Sequence, residues 1–137
     1  MSNPDPFGSP PQQPYHVTSQ PTVSPETERT LGAIAHGAPL AAMVLSAGTL
    51  GFVASLVVYL MYKDRGPFVR RHSANSLNVQ LITLVYLIVS VPLMFVLVGF
   101  ATALAALVFA FVVHLIGTIK AYNGEWWDPP MTPRWIS

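Results

Sequence analysis

The 137-residue chain contains no cysteine, and only 9% of its residues are charged. Without cysteine there can be no disulfide, iron–sulfur cluster or thiolate metal site. A soluble domain usually carries about 25% charged residues, whereas 52% of the residues here are hydrophobic. The net charge of +1 gives no indication of a nucleic-acid partner. This composition predicts a single-domain integral membrane protein whose partner is the lipid bilayer.

Acidic side chains are also missing from the apolar stretches. Asp, Glu, Lys and Arg are absent from Ser73 to Ile119, and Arg29 is the only one of them between Glu28 and Lys63. Proton relays and cation-coupled transport normally use an intramembrane carboxylate, so a coupled pump is not expected. The chain also lacks a nucleophile–base pair, a phosphate-binding loop and a glycine-rich nucleotide fingerprint. We therefore expect no enzyme, no catalytic or cofactor-binding residue and no cofactor.

The distribution of residue types divides the chain into three parts. Residues 1–24 are rich in Pro, Gln, Ser and Asn, which predicts a disordered tail; a hairpin of the first two helices would place this tail in the cytoplasm, and a single span would place it outside. Ser24-Pro25 followed by Glu26 and Glu28 is typical of a helix start, because Ser caps, Pro suits the first turn and acids favour the positive end of the helix dipole. Residues 25–122 are predicted to form a membrane helical bundle, and residues 123–137 a cytoplasmic C-terminal tail.

The lengths of the apolar runs predict the number of helices. Residues 31–62 would form a helix of about 48 Å, longer than the ~30 Å hydrocarbon core, and residues 79–119 one of about 62 Å. The second run must therefore turn round, and the first can fold back at Gly48–Gly51. We predict an all-α integral membrane protein, a four-helix bundle with a short first helical hairpin and helices at about 25–46, 49–62, 75–98 and 101–122. Three spans are the alternative, if the first run is one tilted helix.

The polar connector at 63–72 carries four of the seven Lys and Arg residues. By the positive-inside rule, the connector and the C-terminus two spans later should be cytoplasmic in a multi-pass protein. Four aromatic residues near these ends are predicted to anchor the helices at the membrane interface, where amphipathic rings are favoured: Tyr62, Tyr122, Trp126 and Trp127.

A polar stripe marks the start of the third predicted helix. His72, Ser76, Gln80 and Thr83 share one helical face, and Asn75 and Asn78 flank it. Polar groups at membrane depth are costly and face the bundle interior or water. The stripe therefore either makes interhelical hydrogen bonds or lines a hydrophilic vestibule, and hydrogen bonding is the preferred interpretation.

Three histidines lie among the predicted helices, but none of them pairs with another locally. His36, His72 and His114 show no i, i+3 or i+4 spacing and have no carboxylate nearby in the apolar stretches. Zinc and di-iron sites in helices usually show such local pairs, so no metal site is expected.

Small residues recur at four-residue spacing and predict close helix packing, either within the chain or against a partner helix. They are Ala33, Gly37 and Ala41 in the first helix, and Ala101, Ala105, Ala106 and Ala110 in the last.

Short motifs at three places resemble those of a Tic-twenty-like family. Its members are small bacterial membrane proteins of unknown function, distantly similar to the twenty-kilodalton subunit of the chloroplast inner-envelope import machinery. The resemblance covers roughly Pro25 to Ile136, although Asn75 stands where that family often has an acid. It implies a four-helix unit in the bacterial cytoplasmic membrane with both termini inside. The motifs are Glu28-Arg29, Leu31-Gly32, Ala35-His36, Lys63-Asp64, Pro67-Phe68-Val69, His72, Leu77-Asn78, Gln80, Gly117, Lys120-Ala121, Asn123-Gly124-Glu125 and Pro130.

Two functional hypotheses follow from these features. The small-residue faces favour a non-enzymatic packing or accessory subunit of a larger membrane complex, bound to another membrane protein or to itself. The alternative is a homo-oligomeric pore or protein-translocation component, which rests on the polar stripe and on the import-subunit resemblance. The sequence alone does not identify a substrate.

Overall fold

The computed structural model describes residues 23–137, and this part of the chain is helical without any strand. Four α-helices follow one another: α1 Pro25–Leu45, α2 Gly51–Tyr62, α3 Pro67–Leu93 and α4 Val98–Tyr122. A single 3₁₀ turn, Met94–Val96, joins α3 to α4. For these residues, the prediction of four helices and no strand is confirmed. The predicted proline-rich tail lies almost entirely outside the described residues.

The helix α1 begins and ends where the sequence indicates. The Ser24 hydroxyl accepts a hydrogen bond from the backbone N–H of Thr27 at 3.2 Å. At the other end, Ala47 (φ 52°) and Gly48 (φ 95°) reverse the chain. The Gly48 N–H donates to the carbonyl of Met43 at 2.7 Å, which satisfies one of the last helical carbonyls. The apolar run is therefore two helices, α1 and α2, and the alternative of one long tilted helix is not adopted.

The start of α3 differs from the prediction. The sequence predicted a polar connector to His72 and a helix from Asn75, but α3 begins at Pro67. Gly66 has φ 148°, which a glycine tolerates, and Pro67 takes the first helical position, where its missing N–H costs nothing. The charged residues Arg70 and Arg71 therefore lie on the helix. Their charge indicated contact with water, and the solvent-exposed end of a helix provides this contact as well as a loop does.

The turn between α3 and α4 lies earlier in the chain than predicted, because the third helix was expected to continue to residue 98. The helix α3 ends one residue after Pro92, and α4 begins at Val98 instead of near Ala101. Leu97 has a left-handed φ of 64°. Gly99 packs directly on the backbone of α3, because a Cβ there would lie 2.2 Å from the carbonyl oxygen of Ser90. Only a glycine allows the two helices to approach this closely.

The helices share one end that carries the charges, here called the charged end. It contains the start of α1, the α2–α3 loop and the end of α4, whereas the α3–α4 turn forms the opposite, apolar end. The α1–α2 turn reaches only the level of Leu107, where a Cβ on Gly48 would touch that side chain. Nine residues separate Leu107 from Val98, so α3 and α4 continue about 14 Å beyond the first hairpin.

Two helical segments are long and apolar enough to cross a membrane. They are Pro67–Val96, which is α3 with its 3₁₀ turn, and Val98–Tyr122, which is α4. Only 22% and 28% of their most apolar windows are buried within the chain, respectively. At the apolar end, Phe95 is 92% and Leu97 75% exposed.

Candidate functional site

The polar stripe lies inside the protein. Each of its six side chains is no more than 3% exposed: His72, Asn75, Ser76, Asn78, Gln80 and Thr83. Their partners belong to the chain itself: Ser76 shares a hydrogen bond with Ser55 of α2 at 3.0 Å, and Thr83 donates to the carbonyl of Val79 at 2.7 Å. None of the six side chains therefore faces an open channel in the described part of the chain.

Three stripe residues hold the closing segment, residues 123–137, against α3. The Asn78 Nδ2 donates to the carbonyl of Ile136 at 2.8 Å, and its Oδ1 accepts from the Ile136 N–H at 2.8 Å. The Asn75 Nδ2 donates to the carbonyl of Trp127 at 2.7 Å. The His72 Nε2 donates to the carbonyl of Glu125 at 3.0 Å. The stripe therefore binds backbone of the closing segment, which has no helix or sheet of its own to satisfy it.

Ion pairs fasten the closing segment at the charged end. Asp128 lies between Arg71, whose Nε donates to it at 2.8 Å, and Arg134, whose nearest nitrogen is at 2.5 Å. Partial burial raises the pKa of Asp128. The hydrogen bonds from Arg71 and Asn75 and the charges of Arg71 and Arg134 outweigh this effect, so the pKa lies below its usual value. At Glu125, a hydrogen bond from Lys120 lowers the pKa of the carboxyl group.

Three histidines from three helices meet below the closing segment. His36 of α1, His72 of α3 and His114 of α4 are each 0% exposed. The His36 Nδ1 and the His114 Nδ1 lie 3.3 Å apart. The ring centroid of His36 lies 5.5 Å from that of His114 and 5.6 Å from that of His72. We call these three side chains the histidine cluster.

The surroundings of the histidine cluster leave two ring nitrogens without a hydrogen bond. Gln80 Nε2 donates to His114 Nε2 at 2.9 Å, whereas His36 Nε2 and His72 Nδ1 are buried and have no partner among residues 23–137. Trp127 covers the cluster edge-on, with its ring centroid 5.9 Å from that of His36. Buried polar groups are normally paired, so these two nitrogens are exceptions to the usual pattern.

Sequence reasoning missed the histidine cluster because its members are far apart in the chain. His36 and His114 are separated by 78 positions. The one local signal is Gly117, where a Cβ would lie 2.6 Å from His36 Nδ1, so the absence of a side chain there makes room for the ring. As the rings stand, no group of three or more His, Cys, Asp or Glu within residues 23–137 is placed to hold a metal ion.

The small residues singled out from the sequence are distributed between surface and interior. Ala41, Ala101 and Ala105 are exposed, Ala33 and Gly37 half-buried, and Ala106 and Ala110 buried. The closest approaches involve other glycines: a Cβ on Gly32 would lie 2.8 Å from the Phe68 ring and 3.3 Å from Ala121.

The predicted anchors lie together at the charged end. Tyr122 and Trp126 are exposed, and Tyr62 and Trp127 are half-buried. Trp126 packs edge-on against Phe68, with ring centroids 5.2 Å apart. Trp127 therefore both covers the histidine cluster and reaches the protein surface.

Fold and site together define a small all-helical protein with two helices able to cross a membrane and a polar interior closed by its own C-terminal segment. A family model matches residues 27–136, and the chain belongs to the magnetosome magnetite crystal formation protein family, MamF/MmsF. No curated protein and no solved structure matches the chain significantly.

This finding corrects the resemblance to the Tic-twenty-like family, which was wrong. The motifs behind it are a Pro-Phe helix start, a His–Asn–Gln face and a closing Asn-Gly turn. In this structure the first motif forms the N-terminus of α3, and the last one ends α4. His72 and Asn78 bind the closing segment, whereas Gln80 contacts His114 of α4. Residues that serve such structural tasks do not by themselves identify a family.

Proposed function

We propose that the protein is a small membrane protein that acts in magnetosome magnetite crystal formation as a non-enzymatic packing or accessory subunit. The observation that carries this proposal is the family match over residues 27–136, which includes all four helices except the first two residues of α1. The family is described by its part in forming magnetite crystals.

Insertion into a membrane is supported by the distribution of apolar side chains. A core helix of a soluble protein is mostly buried, whereas the apolar windows of α3 and α4 are only 22% and 28% buried. Large side chains such as Phe95 and Phe100 point away from the chain, at 92% and 60% exposure. A contiguous apolar surface of this kind marks a membrane or protein contact. The basic residues at the charged end favour a cytoplasmic position for that end.

An accessory role is supported by where the polar groups are used. The stripe residues are engaged with α2, with α4 and with the closing segment, so nothing of the stripe is left to line a pore. Within the described part of the chain, residues 23–137, the outer faces of α3 and α4 are apolar and exposed, which suits lipid or a helix of another membrane protein. Packing against such a helix requires no chemistry from this chain.

Deletion of the gene in a magnetosome-forming bacterium tests the role in crystal formation. We expect crystals of altered size or number in electron micrographs and recovery with the wild-type gene. The protein should be recovered with the magnetosome membrane fraction. Normal crystals in the deletion strain, or a protein that stays soluble and folded without detergent, would remove the proposal.

Photo-crosslinking from single positions tests the accessory role. A crosslinker replacing Leu104 on the outer face of α4 (63% exposed) is matched by one replacing Leu60 on α2 (58% exposed). We expect a protein adduct from at least one of the two positions, identified by mass spectrometry. Adducts with lipid alone from both positions would contradict a subunit role.

A further inference from the structure

A groove of about 250 Å³ lies between α3, α4 and the closing segment. Six side chains line it: Tyr86, Thr102, Ala105, Ala106, Phe109 and Met131. It is open to the surface, because Tyr86, Ala105 and Met131 are exposed. The hydroxyl group of Thr102 already shares a 2.7 Å hydrogen bond with that of Ser90. A ligand in the groove would therefore meet mainly aromatic rings, methyl groups and a thioether.

The groove lies at the depth of the bilayer centre. From Val98 to Ile119, α4 carries no Asp, Glu, Lys or Arg, and this stretch is about 33 Å long, which matches the ~30 Å hydrocarbon core. Phe109 is eleven positions from Val98 and eleven from Lys120, so it lies about 16 Å from either level. This step rests on the proposed function, since it takes α3 and α4 to span a membrane. At that depth the groove faces acyl chains and not water.

The closing segment reaches this depth with a tip that suits hydrocarbon. Met131 is a large apolar side chain and is 82% exposed. Of residues 129–133 only Met131 and Thr132 have a backbone N–H, because the other three are prolines. The Thr132 hydroxyl donates to the carbonyl of Pro130 at 3.1 Å. The tip therefore brings fewer unpaired donors into lipid than an ordinary loop would, and unpaired donors are costly there.

The same segment carries basic charge at the level of the lipid headgroups. Arg134 lies three residues after Met131. Arg134 and Arg71 both bond Asp128, at 2.5 Å and 2.8 Å. Two guanidinium groups and one carboxylate leave one positive charge, and it is open to a ligand because Arg134 and Asp128 are exposed. Arg71 is the last charged residue before the uncharged part of α3, so this charge stands at the border of the hydrocarbon.

We propose that the groove and the Arg71–Asp128–Arg134 group form a binding site for one anionic phospholipid of the leaflet at the charged end. Arg134 donates hydrogen bonds to the phosphate, whose oxygens suit a planar guanidinium group. One acyl chain passes the Met131 side chain and ends against Phe109. Such a chain covers half of the hydrocarbon core, about 15 Å, which agrees with the depth of Phe109.

A phospholipid fits both parts of this site at once. The groove suits a flexible apolar chain, and the net positive charge beside it suits an anionic headgroup. A membrane-spanning helix of another protein matches the first part but not the second. It is also about 10–12 Å across, which is wide for a cavity of 250 Å³. A zwitterionic lipid fills the groove but gains less from the positive charge.

Single cysteines test the depth of the groove, because the native chain has none. Met131→Cys, Leu104→Cys and Arg65→Cys, each carrying a nitroxide label, are compared in phospholipid nanodiscs. We expect the labels at positions 131 and 104 to collide with oxygen, which concentrates in hydrocarbon, and the label at position 65 to collide with a water-soluble nickel chelate. If the label at position 131 meets the chelate while that at position 104 stays in lipid, this proposal alone is overturned. If position 104 also meets the chelate, membrane insertion falls with it.

Native mass spectrometry of the wild-type protein tests the lipid itself. The protein is released from nanodiscs that contain equal parts of phosphatidylglycerol and phosphatidylcholine with the same acyl chains. We expect one retained phosphatidylglycerol per chain, favoured about fivefold over phosphatidylcholine, which is the effect of roughly one basic charge near the membrane surface. Absence of retained lipid, or equal retention of the two lipids, overturns the proposal. A protein that does not enter the nanodiscs contradicts membrane insertion as well.

Matched variants locate the site. Ala105→Trp fills the groove and should abolish most of the retention, whereas Ala101→Trp, at an exposed position of α4 outside the groove, should retain lipid like the wild type. Arg134→Gln should abolish the preference for phosphatidylglycerol. Arg65→Gln, which removes the same charge from the α2–α3 loop, should preserve it.

Retention that is unchanged in Ala105→Trp, or a preference lost equally in both arginine variants, overturns the assignment. Circular dichroism confirms that each compared variant is folded. If Ala105→Trp or Arg134→Gln fails to fold, the lipid retained by the wild-type protein still decides the question.

Discussion

Asn78 binds both backbone polar groups of Ile136, one through each end of its side-chain amide. The two hydrogen bonds, both 2.8 Å long, connect the middle of α3 with the next-to-last residue of the chain. A side-chain amide carries its donor and its acceptor on two neighbouring atoms, so it can pair with the N–H and the C=O of one residue at the same time. Asn78 therefore takes the place of a neighbouring strand for a segment that has none.

Replacement of Asn78 by alanine should detach the end of the closing segment. It leaves the N–H and C=O of Ile136 unpaired, at a cost of about 1–3 kcal/mol for each group that stays buried. We expect hydrogen exchange of the Ile136 amide, measured by mass spectrometry in detergent, to accelerate at least tenfold. Thr49→Ala, whose hydroxyl group bonds only the Ser46 carbonyl in the α1–α2 turn, is the control. Unchanged protection in Asn78→Ala would show that the amide does not hold the segment.

Acid should loosen the same segment through Asp128. Arg71, Asn75 and Arg134 keep the pKa of this carboxyl group below its usual value in the folded protein, despite partial burial. A group with a lowered folded pKa stabilises the fold above its unfolded pKa, about 3.9 for aspartate, and this contribution is lost as the pH falls through the folded pKa. Protection of the closing segment should decline below about pH 4.

The Asp128→Asn variant isolates that effect. At neutral pH its closing segment should be less protected than the wild type, and the difference should vanish in acid. Glu26→Gln, away from the segment, serves as the control. A difference that persists unchanged to pH 2 would exclude Asp128 as the titrating group.

Gly117→Ala should destabilise the protein, whereas Gly37→Ala should not. A Cβ on Gly117 lies 2.6 Å from the His36 ring, but one on Gly37 comes no nearer than 3.8 Å to Thr118. Overpacking of this kind costs about 1–3 kcal/mol, whereas alanine in an uncrowded helix position gains up to about 1 kcal/mol over glycine. Thermal unfolding in the same detergent measures both changes. Equal midpoints for the two variants would contradict the close packing of α1 on α4.

The buried pair Ser55 and Ser76 should show strong coupling. Their hydroxyl groups share a 3.0 Å hydrogen bond between α2 and α3. Each single alanine variant leaves one buried hydroxyl unpaired and should lose about 1–3 kcal/mol, whereas removal of both can be nearly neutral. A double-mutant cycle of unfolding free energies checks this expectation. Additive losses would mean that the two groups do not interact.

The number of helices could be predicted from the sequence because chain length per span is a physical limit. Two apolar runs exceeded the thickness of a bilayer, and glycines marked both turns. The start of α3 could not be predicted in the same way. Charge at Arg70 and Arg71 indicates contact with water, but it does not distinguish a loop from the emerging end of a helix.

The candidate site was harder to predict, because it depends on how three helices are rotated against each other. The polar stripe on α3 follows from 3.6-residue periodicity, but its partners in the closing segment and in α4 do not. His36 and His114 each looked isolated in the sequence. Only the close approach that Gly117 permits brings their rings together, and such contacts between distant positions have no local signal.

The shortness of the first hairpin gives the molecule a taper. A cross-section at the charged end contains four helices, whereas one at the level of Phe95 and Gly99 contains only two. The reason is that α3 and α4 continue about 14 Å beyond the α1–α2 turn. In a bilayer, the two leaflets would thus have to make room for unequal cross-sections of protein. A bilayer accommodates such a difference by curving, so that the leaflet holding the four-helix end of the protein lies on the convex side.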